Sequence, residues 1–315
     1  MAKIKEFKAI VQKGDEVIFS GLLKDKTTSK TKKNEDYLML TFEDNTGEIR
    51  VKKWNKTQED DYLFQIGNVY TLPIIIDNYG GSITGVVKDA SKVMLETVYT
   101  PADYHLTVIP PQKDIVKKLN KYINLIQDDE MKNIVLNVLQ TENGKKFLSH
   151  PAAEKNHHAD FGGLLWHTTR MMELASVICP IVNANLDIVL TGIFFHDFGK
   201  LWELESTPTG AGKYTKEQLL GHIYMGAQLI NEYHESGMID YEKTLMIQHV
   251  ILSHHGKLEW GSPVVPKTLE ALIVHQIDML DAKTNSFENA YIKMNSGELS
   301  DEKYYNLGNS QVYKF

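Results

Sequence analysis

Between about residues 13 and 98, apolar positions come in short runs rich in β-branched and aromatic residues: Glu16 to Leu23, Tyr37 to Phe42, Glu48 to Trp54, Val69 to Ile76 and Ser82 to Val87. Runs of this length, separated by turn-forming residues, predict a small β-barrel. The segment Glu43-Asp44-Asn45-Thr46-Gly47 predicts a hairpin connection in which Gly47 supplies a positive φ. From Lys113 the period lengthens. Ile115, Val116, Leu119, Tyr122, Ile123 and Ile126, then Met131, Ile134, Val135 and Val138, recur at helical spacing, and the rest of the chain reads as predominantly helical. Thr100-Pro101 and Pro110-Pro111 mark the change, because proline disfavours helix and pushes the preceding residue to an extended form. The expected organisation is a multidomain chain: a barrel over 1–98, a linker over 99–112 and an all-α domain over 113–315.

Length agrees, since 315 residues exceed the usual single-domain size. A formal charge of -7 argues against coating nucleic acid by bulk charge, so any polyanion must be held locally. The single cysteine, Cys179, lies in an apolar stretch and reads as a small buried side chain. The first residues are interrupted by charge every few positions and no run approaches membrane-spanning length, which predicts a cytoplasmic, soluble protein.

Within the helical half, His196-Asp197 follows the apolar run Val189 to Phe195 and precedes Gly199-Lys200. A carboxylate buried there is costly unless paired or bound to metal. His167, His222, His254 and Asp278 each fall at the end or on the inner face of a separate predicted helix, and all are residue types that ligate divalent metals. Together they predict a hydrolytic metal centre. Gly256 is a natural stop for the helix ending at His254. Asp281 and His275, one turn either side of Asp278, are expected to orient it. His249, off the face of His254, reads as a packing or surface residue. Thr207 to Tyr214 has a passing likeness to a phosphate-binding loop, but Thr207 stands where the first glycine belongs and Tyr214 where Ser or Thr is required.

These residues resemble the HD phosphohydrolase superfamily. A barrel followed by Lys155-Asn156-His157-His158, Gly163-Leu164-Leu165-Trp166-His167, His196-Asp197-Phe198-Gly199-Lys200, Leu220-Gly221-His222 and Ser253 to Pro263 is similar to the YhaM-type 3′-to-5′ exoribonucleases over nearly the whole chain. Phe198 departs from the usual aliphatic residue and changes packing volume rather than a ligand. The resemblance implies an N-terminal OB-fold and removal of nucleoside 5′-monophosphates from the 3′ end of single-stranded RNA, with single-stranded DNA a further candidate substrate. It also implies that His167, His196, Asp197 and Asp278 hold one metal, with Asp197 bridging to a second held by His222 and His254. The resemblance implies manganese or a similar ion, and mixed imidazole and carboxylate ligation suits Mn, Fe, Co or Zn better than an all-oxygen magnesium site. Lys200, one turn beyond Asp197, is the candidate contact to a substrate phosphate. His255 is a candidate ligand, phosphate contact or proton donor.

Single-strand binding combines cationic tracking with base stacking. Lys24, Lys26, Lys30, Lys32 and Lys33, with Tyr37 and Trp54, offer this in the barrel, and Lys257 and Trp260 offer it beside the metal residues. The alternative for the barrel is a solvated lysine-rich loop with aromatics in the core. Two rival functions stand beside the exoribonuclease: an HD nucleotidase or cyclic-dinucleotide phosphodiesterase, against which a strand-tracking barrel argues, and a non-catalytic nucleic-acid-binding protein, against which the full ligand set argues. A homo-oligomer enclosing its substrate is also compatible with the sequence.

Overall fold

The computed structural model describes residues 3–315 except 80–81, 98–103, 105–108, 111, 154–160, 207–211, 293 and 302, and gives no side-chain description for 79, 212 and 306. His157, His158 and most of the loop from Thr207 therefore lie outside the described residues. The chain divides into two compact units, the first reaching Thr107 and the second beginning at Val108.

The first unit holds strands β1 (Glu16–Lys30), β2 (Asp36–Asp44), β3 (Gly47–Lys53), β4 (Val69–Tyr79), β5 (Ser82–Val87) and β6 (Met94–Glu96), with short helices α1 (Ile4–Lys8) and α2 (Gln58–Leu63). The sheet order is β1-β2-β3-β5-β4-β6, and β4 also pairs with β1. The long first strand makes this possible: Glu16 to Leu22 pair with β4, Leu22 to Lys30 pair with β2, and the register shifts between Leu23 and Asp25. A bulge there bends the strand so that it serves two neighbours. The result is an OB-like sheet around one core that includes Phe19, Leu40, Phe42, Val51, Tyr70 and Ile74. At the β2–β3 hairpin the expected positive φ is absent, for Gly47 is not among the glycines with that conformation. The Asp44 carboxylate instead accepts from the Thr46 and Gly47 amides at 2.8 and 3.1 Å, and this side-chain hydrogen bonding shapes the turn without left-handed backbone.

The second unit contains α3 (Gln112–Ile123), α4 (Asp129–Leu139), α5 (Glu142–Phe147), α6 (Gly163–Val182), α7 (Leu186–His196), α8 (Lys200–Glu203), α9 (His222–Glu235), α10 (Tyr241–Ser253) and α11 (Leu269–Tyr291). Two small ribbons, β7 (Leu204–Ser206) with β8 (Gly212–Tyr214) and β9 (Glu298–Leu299) with β10 (Tyr313–Lys314), complete it. Helix α7 is buried on every side from Ile188 to His196, as a helix apolar all round must be. It packs against α6, α10 and α11, so its C-terminal end delivers His196 and Asp197 into the centre of the unit. Phe198 stacks among Phe147, Phe194, Phe195 and Trp202, which accounts for an aromatic at that position. Cys179 is fully buried, and burial pushes its thiol up to about 11. No helix among the described residues is long and apolar enough to cross a membrane.

Candidate metal centre

Four histidines converge on one carboxylate, and each has its Nδ1 occupied elsewhere. His196, closing α7, donates from Nδ1 to the Ile193 carbonyl at 2.6 Å, and His254, just after α10, donates to the Ile251 carbonyl at 2.7 Å. His167, in the second turn of α6, is 2.7 Å from Asp281 Oδ2, and His222, the first residue of α9, is 2.7 Å from Glu203 Oε2. Fixing the Nδ1 side turns the Nε2 atoms of all four rings towards Asp197. His167 and His196 lie 3.7 and 3.4 Å from Asp197 Oδ2, while His222 and His254 lie 3.5 and 3.7 Å from Oδ1.

The inner contacts fit a cation better than they fit one another. His167 Nε2 and His196 Nε2 are 3.2 Å apart, close enough to address one ion between them. Asp197 Oδ1 and His222 Nε2 are buried with no hydrogen-bond partner among the described residues. Such groups cost about 1 to 3 kcal/mol each when left unsatisfied. A divalent ion would satisfy both. The ligating atoms of His167, His196 and Asp197 lie within 4.8 Å of one another, as do those of His222, His254 and His255, so the cluster reads as two triads joined through Asp197. Asp278, on α11, approaches His167 Nε2 at 3.3 Å.

Charge within the cluster is matched. Burial works against ionised Asp197, but the Lys200 ammonium, 2.7 Å from Oδ2, and the surrounding imidazoles hold its carboxyl well below the usual range. Burial also opposes ionised Asp278, and hydrogen bonding to His167 keeps it low. His167 is desolvated, yet its bonds to Asp278 and Asp281 hold it up to about 10. His254, buried beside His196 and His255, is pushed well down and presents a neutral imidazole.

Sequence reasoning brought the cluster together but misassigned its supports. Asp281 does not orient Asp278. It pairs with His167, and with Arg170 Nε at 2.6 Å, because the face of α11 that carries it packs on α6. His275 likewise serves another residue, donating from Nδ1 to the His254 carbonyl at 2.8 Å. The nearby Gly256 has a φ of 78°, and a Cβ there would lie 2.2 Å from the His275 ring, so the helix stop is also a steric requirement. Glu203 and Arg170 were missed. Neither belongs to a local pattern, since each meets its partner only through packing, although Glu203 is a carboxylate only three residues beyond Lys200. His249 accepts from the Lys267 amide at 2.9 Å and takes no part in the cluster.

Of the expected nucleic-acid contacts, Lys257 and Trp260 stand beside the cluster, with the Lys257 ammonium 4.3 Å from the Trp260 ring centroid. In the barrel unit, Tyr37 and Trp54 pair with ring centroids 4.8 Å apart, outside the core. Lys24 is held by Glu43 and Glu48, and Lys26 donates to the Asp61 and Phe64 carbonyls. Lys30 pairs loosely with Asp36 at 3.6 Å, whereas Lys32 and Lys33 are exposed in the turn between β1 and β2.

A helical bundle that gathers His, His-Asp and a further Asp from separate helices defines an HD-domain protein, and residues 164–283 match the HD domain family model. The chain is also 33% identical over 302 residues to the 3′-5′ exoribonuclease YhaM of Geobacillus sp. (strain WCH70), covering 96% of this chain and 92% of that relative. The chain belongs to the YhaM family of HD-domain 3′-5′ exoribonucleases.

Proposed function

We propose that this chain is a metal-dependent 3′-5′ exoribonuclease that degrades single-stranded RNA to nucleoside 5′-monophosphates. The observation that carries the reading is the extent of the likeness: it covers 96% of the chain, and so runs through the OB-like unit as well as the HD domain. A nucleotidase needs only the latter. The OB-like sheet is read as an OB-fold that tracks the strand.

His167, His196, Asp197 and Asp278 would hold one divalent ion, and Asp197, His222 and His254 a second, with manganese the first candidate. Such ions supply a nucleophile from water at neutral pH and neutralise charge on the phosphoryl oxygens. The chain's own residues do the positioning. Asp197 presents its two oxygens to opposite halves of the cluster. Lys200 Nζ, already on Asp197, borders the same cavity and is placed to take a non-bridging phosphate oxygen. His255 donates from Nδ1 to the Trp260 carbonyl at 3.1 Å, which leaves a lone pair on Nε2. Burial, with His222 beside it, lowers its pKa further. We therefore read His255 as a third nitrogen with His222 and His254 rather than as the proton donor. A cytoplasmic location and activity on single-stranded DNA belong to the same reading.

The test is to strip the protein of metal and add back Mn, Mg, Co or Zn with end-labelled single-stranded RNA, a hairpin RNA and free nucleotides. Stepwise shortening from the 3′ end is the expected result. Hydrolysis of free nucleotides alone would sink the reading in favour of a nucleotidase, and binding without turnover under every metal would favour a non-catalytic protein.

A further inference from the structure

Beyond the metal cluster, the cavity of about 720 Å³ that opens from Asp197, His254 and Asp278 extends to Trp260, Tyr305 and Asn309. Its size is within the range of roughly 300–1,000 Å³ found for small-molecule sites, far more than metal ions require. One wall comes from the C-terminal segment, which is tied to the helical unit. Lys314 Nζ donates to the Tyr291 and Met294 carbonyls at 2.7 and 2.8 Å, and the Ser300 amide to the Val312 carbonyl at 2.8 Å. Val312 is buried beneath it. The tip is a closed turn in which the Tyr304 amide donates to the Ser310 carbonyl and the Asn309 amide to the Tyr304 carbonyl, both at 3.0 Å.

This fixed turn presents Tyr305, 91% exposed, at the rim of the cavity, while Trp260 lines the same cavity at 43% exposure. Holding a large ring in water on an anchored turn, with no hydrogen-bond or ring partner for its side chain among the described residues, does nothing for the fold. A ring so placed beside a phosphodiester-cleaving centre is suited to a nucleobase, because every base has a π-face and aromatic stacking is tolerant of sequence. Trp260, with the Lys257 ammonium 4.3 Å from its ring centroid, lines the same cavity as the metal residues, so aromatic surface and positive charge border one space with them.

We propose that Tyr305 stacks on the 3′-terminal base of the RNA and thereby seats the scissile phosphate on the metal cluster. This rests on the exonuclease reading. Tyr305 is a positioning residue, and its contribution belongs to the terminal base alone.

The experiment is a cycle of four kcat/KM values: wild type and Tyr305→Ala, each on a short single-stranded RNA with an intact 3′-terminal nucleotide and on one whose last ribose lacks its base. Wild type should lose about tenfold on the abasic end, a loss at the low end of what one base stacked on an aromatic contributes. Tyr305→Ala should lose about tenfold on the intact end, chiefly in KM, and nothing further on the abasic one. Tyr305→Phe, which keeps the ring, should behave as wild type. The inference is overturned if Tyr305→Ala equals wild type on the intact RNA, or if the two losses multiply. Should wild type shorten neither oligonucleotide, the exonuclease reading itself falls.

Discussion

Asp197 is the residue on which both triads depend, and the price of burying it is met only when its partners are complete. Replacing it with Ala should remove bound metal and reduce turnover by more than about a thousandfold, since ions that activate water are worth many kcal/mol of barrier. Metal content by mass spectrometry and RNA binding by anisotropy separate the effects, with binding through the barrel expected to survive. The supporting carboxylates should behave differently. Asp281→Asn leaves every ligand in place but weakens the hold on His167 Nδ1, and outer partners of this kind are worth about 10- to 100-fold in metal affinity. A chelator competition titration should show that loss; unchanged affinity would mean that α6 packing alone fixes the ring. His150 carries a prediction about stability rather than chemistry. It is buried, its Nε2 donates to the Lys200 carbonyl at 3.1 Å, and burial lowers its pKa from 6.5 to about 4. The folded protein therefore keeps it neutral where the unfolded chain binds a proton, so its contribution is complete above pH 6.5 and is lost as pH falls towards 4. At pH 4.5 the loss should reach about 2.5 kcal/mol, relative to a His150→Gln variant whose denaturation midpoints lack this term.

At the scale of elements, close approach is what sets the centre. A Cβ on Gly199 would lie 2.0 Å from the His222 carbonyl, so the entry to α8 and the start of α9 touch only because this residue is glycine. Gly199→Ala must push His222 away from Asp197, at a cost of about 1 to 3 kcal/mol for overpacking. Thermal melting should show the destabilisation, and metal stoichiometry should fall through the triad containing His222 more than through that of His167. The same scale explains what could be read beforehand. Long helices such as α6, α7, α10 and α11 were legible because their apolar residues, or an unbroken apolar run, declare a buried face. The ligands were legible because each stands at the end of such a helix or on its buried face. By contrast α1 and α2, of 5 and 6 residues, are too short for a period to speak, and the far end of β1 is polar from Lys24 to Lys30 because it leaves the core as a ribbon with β2. Asp281 and Glu203 escaped assignment for a further reason: spacing tells which residues share a helix face, but only packing tells which neighbour that face meets.

For the molecule as a whole, a formal charge of -7 opposes any polyanion, yet at physiological salt that field is screened beyond about 8 Å. Retention of a strand must then come from local groups in the OB-like unit that are not already committed. Lys24 and Lys26 are engaged by Glu43, Glu48 and backbone carbonyls, which leaves the exposed Lys32 and Lys33, and the Tyr37–Trp54 pair with the Lys52 ammonium 5.4 Å from the Trp54 ring centroid. Trp54 remains 39% exposed, which leaves part of the residue accessible to solvent and to a base. A full-length variant with Lys32→Ala, Lys33→Ala and Trp54→Ala should bind a 20-nucleotide RNA about tenfold more weakly, most of it from the lost stack. The slope of log affinity against log salt should become shallower by about 1.4, from two phosphate contacts at about 0.7 each on a single strand. Turnover of a trinucleotide, too short to need the tracking surface, should remain as in wild type. If the trinucleotide and the long RNA suffer equally, the barrel contributes to the cleavage site rather than to retention; if neither suffers, the strand runs elsewhere on the unit. A Lys24→Ala, Lys26→Ala pair separates charge from structure: those lysines hold the barrel together, so their loss should lower the melting temperature and leave the salt slope unchanged.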